Sequence, residues 1–182
     1  MDEIALIRTC VEEAGFHCLC CGACCSGDDN EVMVTPSEIQ TIMDAAGLAW
    51  NEIAEPYPEW ITELDAAITF GWVIRRGADG NCMFLKNNRC TIYQNRPHIC
   101  RTYPFMLDGS ELIISECPGC KAGERTKEAE EITKDLLRRR DAEDEEFFLT
   151  KKQYQKHSII SGSTIVFDSR GAHPIIIPPE KL

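Results

Sequence analysis

The sequence predicts an α+β fold: a small cysteine-rich, metal-stapled domain of short strands and helices, with a long C-terminal helix and a β-hairpin tail. Three observations predict it. Five thiols fall within eight residues, Cys18-Leu19-Cys20-Cys21-Gly22-Ala23-Cys24-Cys25, too many for packing, because cores take up free cysteine singly among larger apolar side chains. Residues 71 to 116 carry short β-type runs between turn residues, which leave little room for a large core. Residues 124 to 157 are rich in helix formers with charge pairs at i,i+4. The expected division is a cysteine-cluster metal-binding domain over 1–123, and a C-terminal helix and hairpin packed on it over 124–182.

From the N-terminus, Ile4 to Ala14 reads as an amphipathic helix with Ile4, Ile7 and Val11 on one face, stopped at Gly15. Cys10 lies on its apolar side as a small hydrophobe. Ser26 to Asn30 is a loop by composition, and Val32 to Val34 a short strand. Thr35-Pro36-Ser37-Glu38 combines an N-cap, a proline at the first helical position and a glutamate three residues after the cap, so a helix runs from there to Gly47. After Pro56-Tyr57-Pro58, a second helix is expected over Glu59 to Phe70, with Trp60, Leu64, Ala67 and Ile68 inward.

Trp72-Val73-Ile74 reads as a strand turning at Gly77 to Gly80. Met83 to Leu85 and Thr91 to Tyr93 flank Asn87-Asn88, and Tyr103 to Leu107 and Leu112 to Ile114 flank Asp108-Gly109, a hairpin signal. The long helix carries the stripe Ala129, Ile132, Leu136 and Phe147, with Glu130–Lys134 and Asp135–Arg139 as i,i+4 pairs. Its acidic run, Asp141 to Glu146, is a solvated face. Thr164 to Phe167 and Ile175 to Ile177 form a final hairpin across Ser169-Arg170-Gly171.

The 182 residues fit one domain, or one with a helical appendage. With 43% apolar and 27% charged residues the chain is of the soluble globular type. A net charge of −11 excludes a general nucleic-acid binder and a module for anionic membranes. No apolar run is long enough for a transmembrane helix, and Met1-Asp2-Glu3-Ile4 is acidic where a signal peptide is basic. The expected location is therefore cytoplasmic. In that reducing compartment eleven cysteines, an odd number, point to metal or redox chemistry rather than disulfides.

The spacing Cys18-x2-Cys21-x2-Cys24-Cys25 gives short arms on which two sulfurs can grip one soft ion. Gly22 inside the second arm lets the backbone fold tightly there. Adjacent side chains diverge in most backbone conformations, so Cys24 and Cys25 are expected to serve different ions. Cys82, Cys90, Cys100, Cys117 and Cys120 each stand beside a turn or a proline, where hairpin ends can converge on one point.

These motifs in order resemble the YkgJ-type cysteine cluster family: Cys18-x2-Cys21-Gly22-x-Cys24-Cys25, Cys82-Met83-Phe84-Leu85, Cys90-Thr91-Ile92-Tyr93-x2-Arg96-Pro97-x2-Cys100-Arg101-x-Tyr103-Pro104-Phe105 and Cys117-Pro118-Gly119. That family is described as a zinc- or iron-chelating domain with a CxxCxxCC signature, and the resemblance covers roughly residues 16 to 123. It implies eight metal cysteines: Cys18, Cys21, Cys24, Cys25, Cys82, Cys90, Cys100 and Cys117. Cys10, Cys20 and Cys120 are additions; Cys120 falls where the family more often carries an aliphatic residue. The signature also occurs in proteins similar to flagellin lysine methylases, which hold an iron–sulfur cluster and use S-adenosylmethionine. Those are longer, and nothing in residues 124 to 182 resembles their remaining part.

Zinc and iron–sulfur clusters each take four thiolates, so eight could serve two sites; one site with redundant or structural thiols is the simpler alternative. Cys117-Pro118 echoes the Cys-Pro that ends some ferredoxin motifs, and with the cysteine surplus it favours an iron–sulfur cluster over zinc. Arg96 and Arg101 are the candidates to offset the negative charge of bound thiolates; the plainer reading gives each a carboxylate partner. His17 and His98 adjoin ligand candidates and read as neighbours. Cys117-Pro118-Gly119-Cys120 also has the C-x-x-C form of a thiol–disulfide oxidoreductase, but no βαβ unit surrounds it. Nucleotide-binding, zinc-protease and serine-hydrolase motifs are absent. The expected partners are metal ions and a protein redox partner, with no nucleic acid and no membrane. The function classes left are a cluster-binding redox or metal-handling protein, a cluster-dependent enzyme such as a methyltransferase, and the oxidoreductase.

Overall fold

The computed structural model describes residues 2–27 and 31–176. Along the first half run α1 (Glu3–Glu13), a 3-10 turn (Ala23–Cys25), β1 (Met33–Val34), α2 (Pro36–Ala46), α3 (Trp50–Ile53), β2 (Ala54–Pro56), β3 (Ile61–Glu63), β4 (Ala66–Phe70) and β5 (Trp72–Ile74). There follow β6 (Leu85–Lys86), β7 (Arg89–Cys90), a 3-10 turn (Tyr93–Asn95), α4 (His98–Thr102), β8 (Phe105–Asp108), β9 (Glu111–Ile114), α5 (Ala129–Lys156), β10 (Thr164–Asp168) and β11 (Gly171–Pro174). The fold is mixed α+β, with a long C-terminal helix and a final strand pair. Asp28 to Asn30 of the expected loop and Ile177 of the expected tail strand lie outside the described residues. The chain forms two compact units, one of residues 1–30 with 84–142 and the other of 31–83 with 143–182.

In the first unit, Ile7 and Val11 of α1 pack with Phe105, Ala129 and Leu136. Ile4, expected on the same face, is 47% exposed, because it lies one turn before the packed stretch. The long helix begins at Ala129 rather than near Glu124. Thr126 is held instead at the end of α1: its hydroxyl donates to Val11 O and accepts from Phe16 N, and its N–H donates to Glu12 O. Glu130 pairs with Lys134 at 2.8 Å as expected, and Asp135 pairs with Arg138 at 3.0 Å. Arg139 is buried and donates to the Thr102 hydroxyl at 3.2 Å.

Two hairpins complete this unit. β6 and β7 join through Asn87 and Asn88, both left-handed at φ 52° and 60°, a two-residue turn that asparagine tolerates. β8 and β9 pair across Gly109-Ser110, with Phe105 opposite Ile114.

In the second unit, α2 begins with the expected capping box. Glu38 N–H donates to Thr35 Oγ1 and Thr35 N–H to Glu38 Oε2, and the helix ends at left-handed Gly47. A three-stranded sheet has the order β1-β5-β2, and a four-stranded sheet the order β11-β10-β4-β3, with β10 and β4 parallel.

The helix expected over Glu59 to Phe70 is instead the hairpin β3–β4. Its turn residues Leu64 and Asp65 have φ 49° and 60°, which no right-handed helix accommodates. The buried apolar residues are Ala66 and Ile68, at the spacing of two that a strand requires. Ile68 lies opposite Ile165 of β10, a partner that no local pattern reveals. Leu64 sits at the turn, 68% exposed. Phe147, expected to continue the buried stripe of α5, is 62% exposed. The tail strand β11 pairs from Gly171, ahead of its expected start at Ile175, with Asp168 opposite Gly171.

Beneath that hairpin Asp168 is fully buried. It accepts from Trp72 Nε1 at 2.8 Å and from the N–H groups of Arg170 and Gly171, and it pairs with His173 Nε2. A carboxylate without water needs such a full set of donors.

Candidate metal centre

No disulfide links any of the eleven cysteines. Of the eight candidate ligands, Cys18, Cys21, Cys24, Cys25, Cys90, Cys100 and Cys117 belong to the first unit and Cys82 to the second. Cys82 there forms an isolated antiparallel bridge with Arg76. Cys90 ends β7, and Cys100 lies within α4.

Gly22 starts the local geometry. At φ 76° it opens the 3-10 turn, and its carbonyl accepts from Cys25 N and Ser26 Oγ. A Cβ there would come within 3.2 Å of the Leu85 side chain, besides the strain of that φ. The turn brings Cys24 Sγ and Cys25 Sγ to 3.8 Å. Two thiolates on one tetrahedral ion, with bonds of about 2.3 Å, stand about 3.8 Å apart. The expectation that these neighbouring side chains diverge is therefore corrected, because the turn folds their sulfurs together.

The charges show which other thiols gather here. Cys24 is lowered to about 6, chiefly by the hydrogen bond from the Cys25 thiol and further by Arg96, against the opposing effect of burial. Burial pushes Cys18 up, and the charges of Cys20 and Cys24 add to it. Burial also raises Cys90, with the Cys24 charge adding and Arg96 opposing. Cys18, Cys25 and Cys90 thus each act on or feel Cys24, and Arg96 bears on Cys24 and Cys90. The Tyr103 hydroxyl, which donates to Glu116 O at 2.7 Å, is raised by burial and by the charges of Cys117, Cys24, Cys120 and Cys21.

The two arginines are held by backbone. Arg96 lies 3.6 Å over the Tyr93 ring and donates to Tyr93 O and Cys100 O. Arg101 donates to Arg96 O at 2.8 Å and Gln94 O at 3.0 Å. Arg96 thus stands beside thiols, whereas Arg101 fixes the carbonyl of Arg96. His17 is exposed and its N–H donates to Gly119 O; His98 begins α4.

Among the described residues, no three His, Cys, Asp or Glu side chains are already drawn together as ligands of one ion. The thiols are arranged as pairs and neighbours on turns. As a donor set they fit a soft metal: sulfur only, several within mutual electrostatic reach, one already ionised near neutral pH, and a fixed cation beside them. The sequence places Cys120 among the turn-side thiols and Tyr103 within the family motif, but gives Tyr103 no role at the site. The signals were present, in Tyr103-Pro104-Phe105 and in the C-x-x-C spacing, but nothing local says that they meet.

Soft donors carried on turns define a metal-chelating class of domain. The CxxCxxCC family model, described as "Putative zinc- or iron-chelating domain", matches residues 17–132, more than half of the chain, and the chain belongs to this family. Metal binding through its cysteines is what that membership supports. The chain is also similar to the uncharacterized protein MJ0661 of Methanocaldococcus jannaschii, 27% identical over 94 residues, or 50% of this chain and 46% of that protein. It therefore spans about half the length of that curated relative. No solved structure matches the chain. Among the described residues, no helix is long and apolar enough to cross a membrane.

Proposed function

We propose that the first unit holds iron as an iron–sulfur cluster through thiolates drawn from Cys18, Cys21, Cys24, Cys25, Cys90, Cys100 and Cys117, and that the protein acts in cytoplasmic electron transfer or metal handling. The family resemblance also implies Cys82, in the second unit, as a metal cysteine. Arg96 supplies the positive charge that offsets the thiolates, and Arg101 holds it in place. The observation that carries this reading is that Cys18, Cys25 and Cys90 all interact with Cys24, with Arg96 bearing on Cys24 and Cys90, while the charges of Cys21 and Cys117 join that of Cys24 at Tyr103. That is more sulfur than one tetrahedral ion takes.

A tetrahedral zinc ion is the second reading, favoured by the 3.8 Å between the Cys24 and Cys25 sulfurs. Anaerobic purification with iron, zinc and acid-labile sulfide analysis separates the two. Iron and sulfide in comparable amounts, with broad visible absorption, are expected. A colourless protein with zinc and no sulfide replaces the cluster by zinc, and a protein without either metal refutes both.

A further inference from the structure

Cys120 stands outside the eight-cysteine pattern, yet the fold places it beside that pattern with two backbone devices. The first is a short antiparallel bridge in which Phe16 lies opposite Cys120, His17 N–H donates to Gly119 O at 2.9 Å and Lys121 N–H to Gly15 O at 3.2 Å. This bridge lays residues 119–121 against the segment that leads directly into Cys18. It is close enough that both crossing points require glycine: a Cβ on Gly119 would stand 2.4 Å from His17 O, and one on Gly15 2.1 Å from Lys121 O.

The second device is the Cys117-Pro118-Gly119-Cys120 turn itself. Cys120 N–H donates to Cys117 O at 3.0 Å, and Gly119 N–H donates to Cys117 Sγ at 3.4 Å. Two thiols on one such turn are the short-arm geometry by which a chain grips a soft ion. Proline contributes a fixed φ and no competing donor inside the turn.

We propose that Cys117 and Cys120 form a two-thiolate arm, so that Cys120 is a metal ligand that this chain has in addition to the eight of its family. The proposal rests on the reading of the first unit as a thiolate metal centre. Its surroundings agree: the charges of Cys117 and Cys120 bear on the Tyr103 hydroxyl together with those of Cys21 and Cys24.

The test uses the full chain, stripped of metal, reduced and titrated anaerobically with Zn²⁺ as the probe. Iodoacetamide labelling is then read for each cysteine peptide by mass spectrometry. Zn²⁺ is expected to slow labelling of Cys120 about tenfold or more, within about twofold of its effect on Cys117, while Cys10 is unaffected. Cys120→Val, the aliphatic form, is expected to release Zn²⁺ to a competing chelator about tenfold faster, with Cys10→Ser unchanged. Protection of Cys117 without protection of Cys120, or unchanged release from Cys120→Val, overturns the proposal and leaves the metal centre standing. If Zn²⁺ protects no cysteine, both fall. The labelling needs no variant, so a Cys120→Val protein that fails to fold does not block the test.

Discussion

Replacing Cys25 with alanine removes the thiol 3.8 Å from Cys24 Sγ, the largest influence holding Cys24 at about 6 instead of its ordinary 9.0. At pH 7 a thiol of pKa ~6 is about 90% ionised, against about 1% for one at ~9. A lower pKa also weakens the nucleophile; with a Brønsted slope of ~0.4–0.5, three pH units cost about 15–30-fold. The two effects leave Cys24 about 3–6-fold faster than an ordinary cysteine at pH 7. Its rate levels off above about pH 7, whereas an ordinary thiol keeps gaining to beyond pH 9. The sign follows from the lowered pKa: the thiolate is present above about 6 and is lost as pH falls through that value. The assay is iodoacetamide labelling of the reduced, metal-free protein between pH 5 and 10, read at the Cys24 peptide. In Cys25→Ala the plateau moves to higher pH and the pH 7 rate drops toward the ordinary level. A wild-type Cys24 titrating near 9, or a profile unmoved in Cys25→Ala, refutes the reasoning. Because a metal must displace protons from its thiolates, the same shift favours capture at Cys24 in neutral and mildly acidic solution.

Asp168→Ala strands the buried Trp72 N–H and the turn donors of β10–β11, and about 3–5 kcal/mol of stability is expected to be lost. Urea unfolding followed by tryptophan fluorescence measures it, and a loss under about 1 kcal/mol refutes the account of that network. Thr35→Ala removes the acceptor for Glu38 N–H at the start of α2 and is expected to cost about 1 kcal/mol, seen as a lower urea midpoint at unchanged slope. Stripping the metal is expected to lower hydrogen-exchange protection across residues 84–120, because in a centre built from turns the binding energy is folding energy. Unchanged protection there counts against a structural role for the metal.

Where an element carries its own terminators, the chain is readable residue by residue. Thr35, Pro36 and Glu38 start α2 and Gly47 stops it, and Asn87-Asn88 marks the turn between β6 and β7, since these side chains act on backbone within a few residues. The Glu59–Phe70 stretch fails for the opposite reason. Trp60, Leu64, Ala67 and Ile68 have helical spacing, but Ala66 and Ile68 are buried because β10, nearly a hundred residues later, supplies the sheet. Periodicity cannot name a partner so far away. Ile4 and Phe147 mark the same limit, since an apolar residue in phase with a stripe is buried only where something covers it.

The cysteines divide along the same line. Their number, all-sulfur character and C-x2-C spacing determine by themselves that this is a metal-chelating chain, because ligand softness is a property of side chains and the arms span only a turn. Tertiary structure alone decides which sulfurs become neighbours. It folds Cys24 onto Cys25, sets Arg96 beside Cys24 and Cys90, and lays the Cys120 turn against the approach to Cys18. Those relations join segments up to a hundred residues apart, and only packing and backbone bridges hold them at the few ångströms over which charge and coordination act.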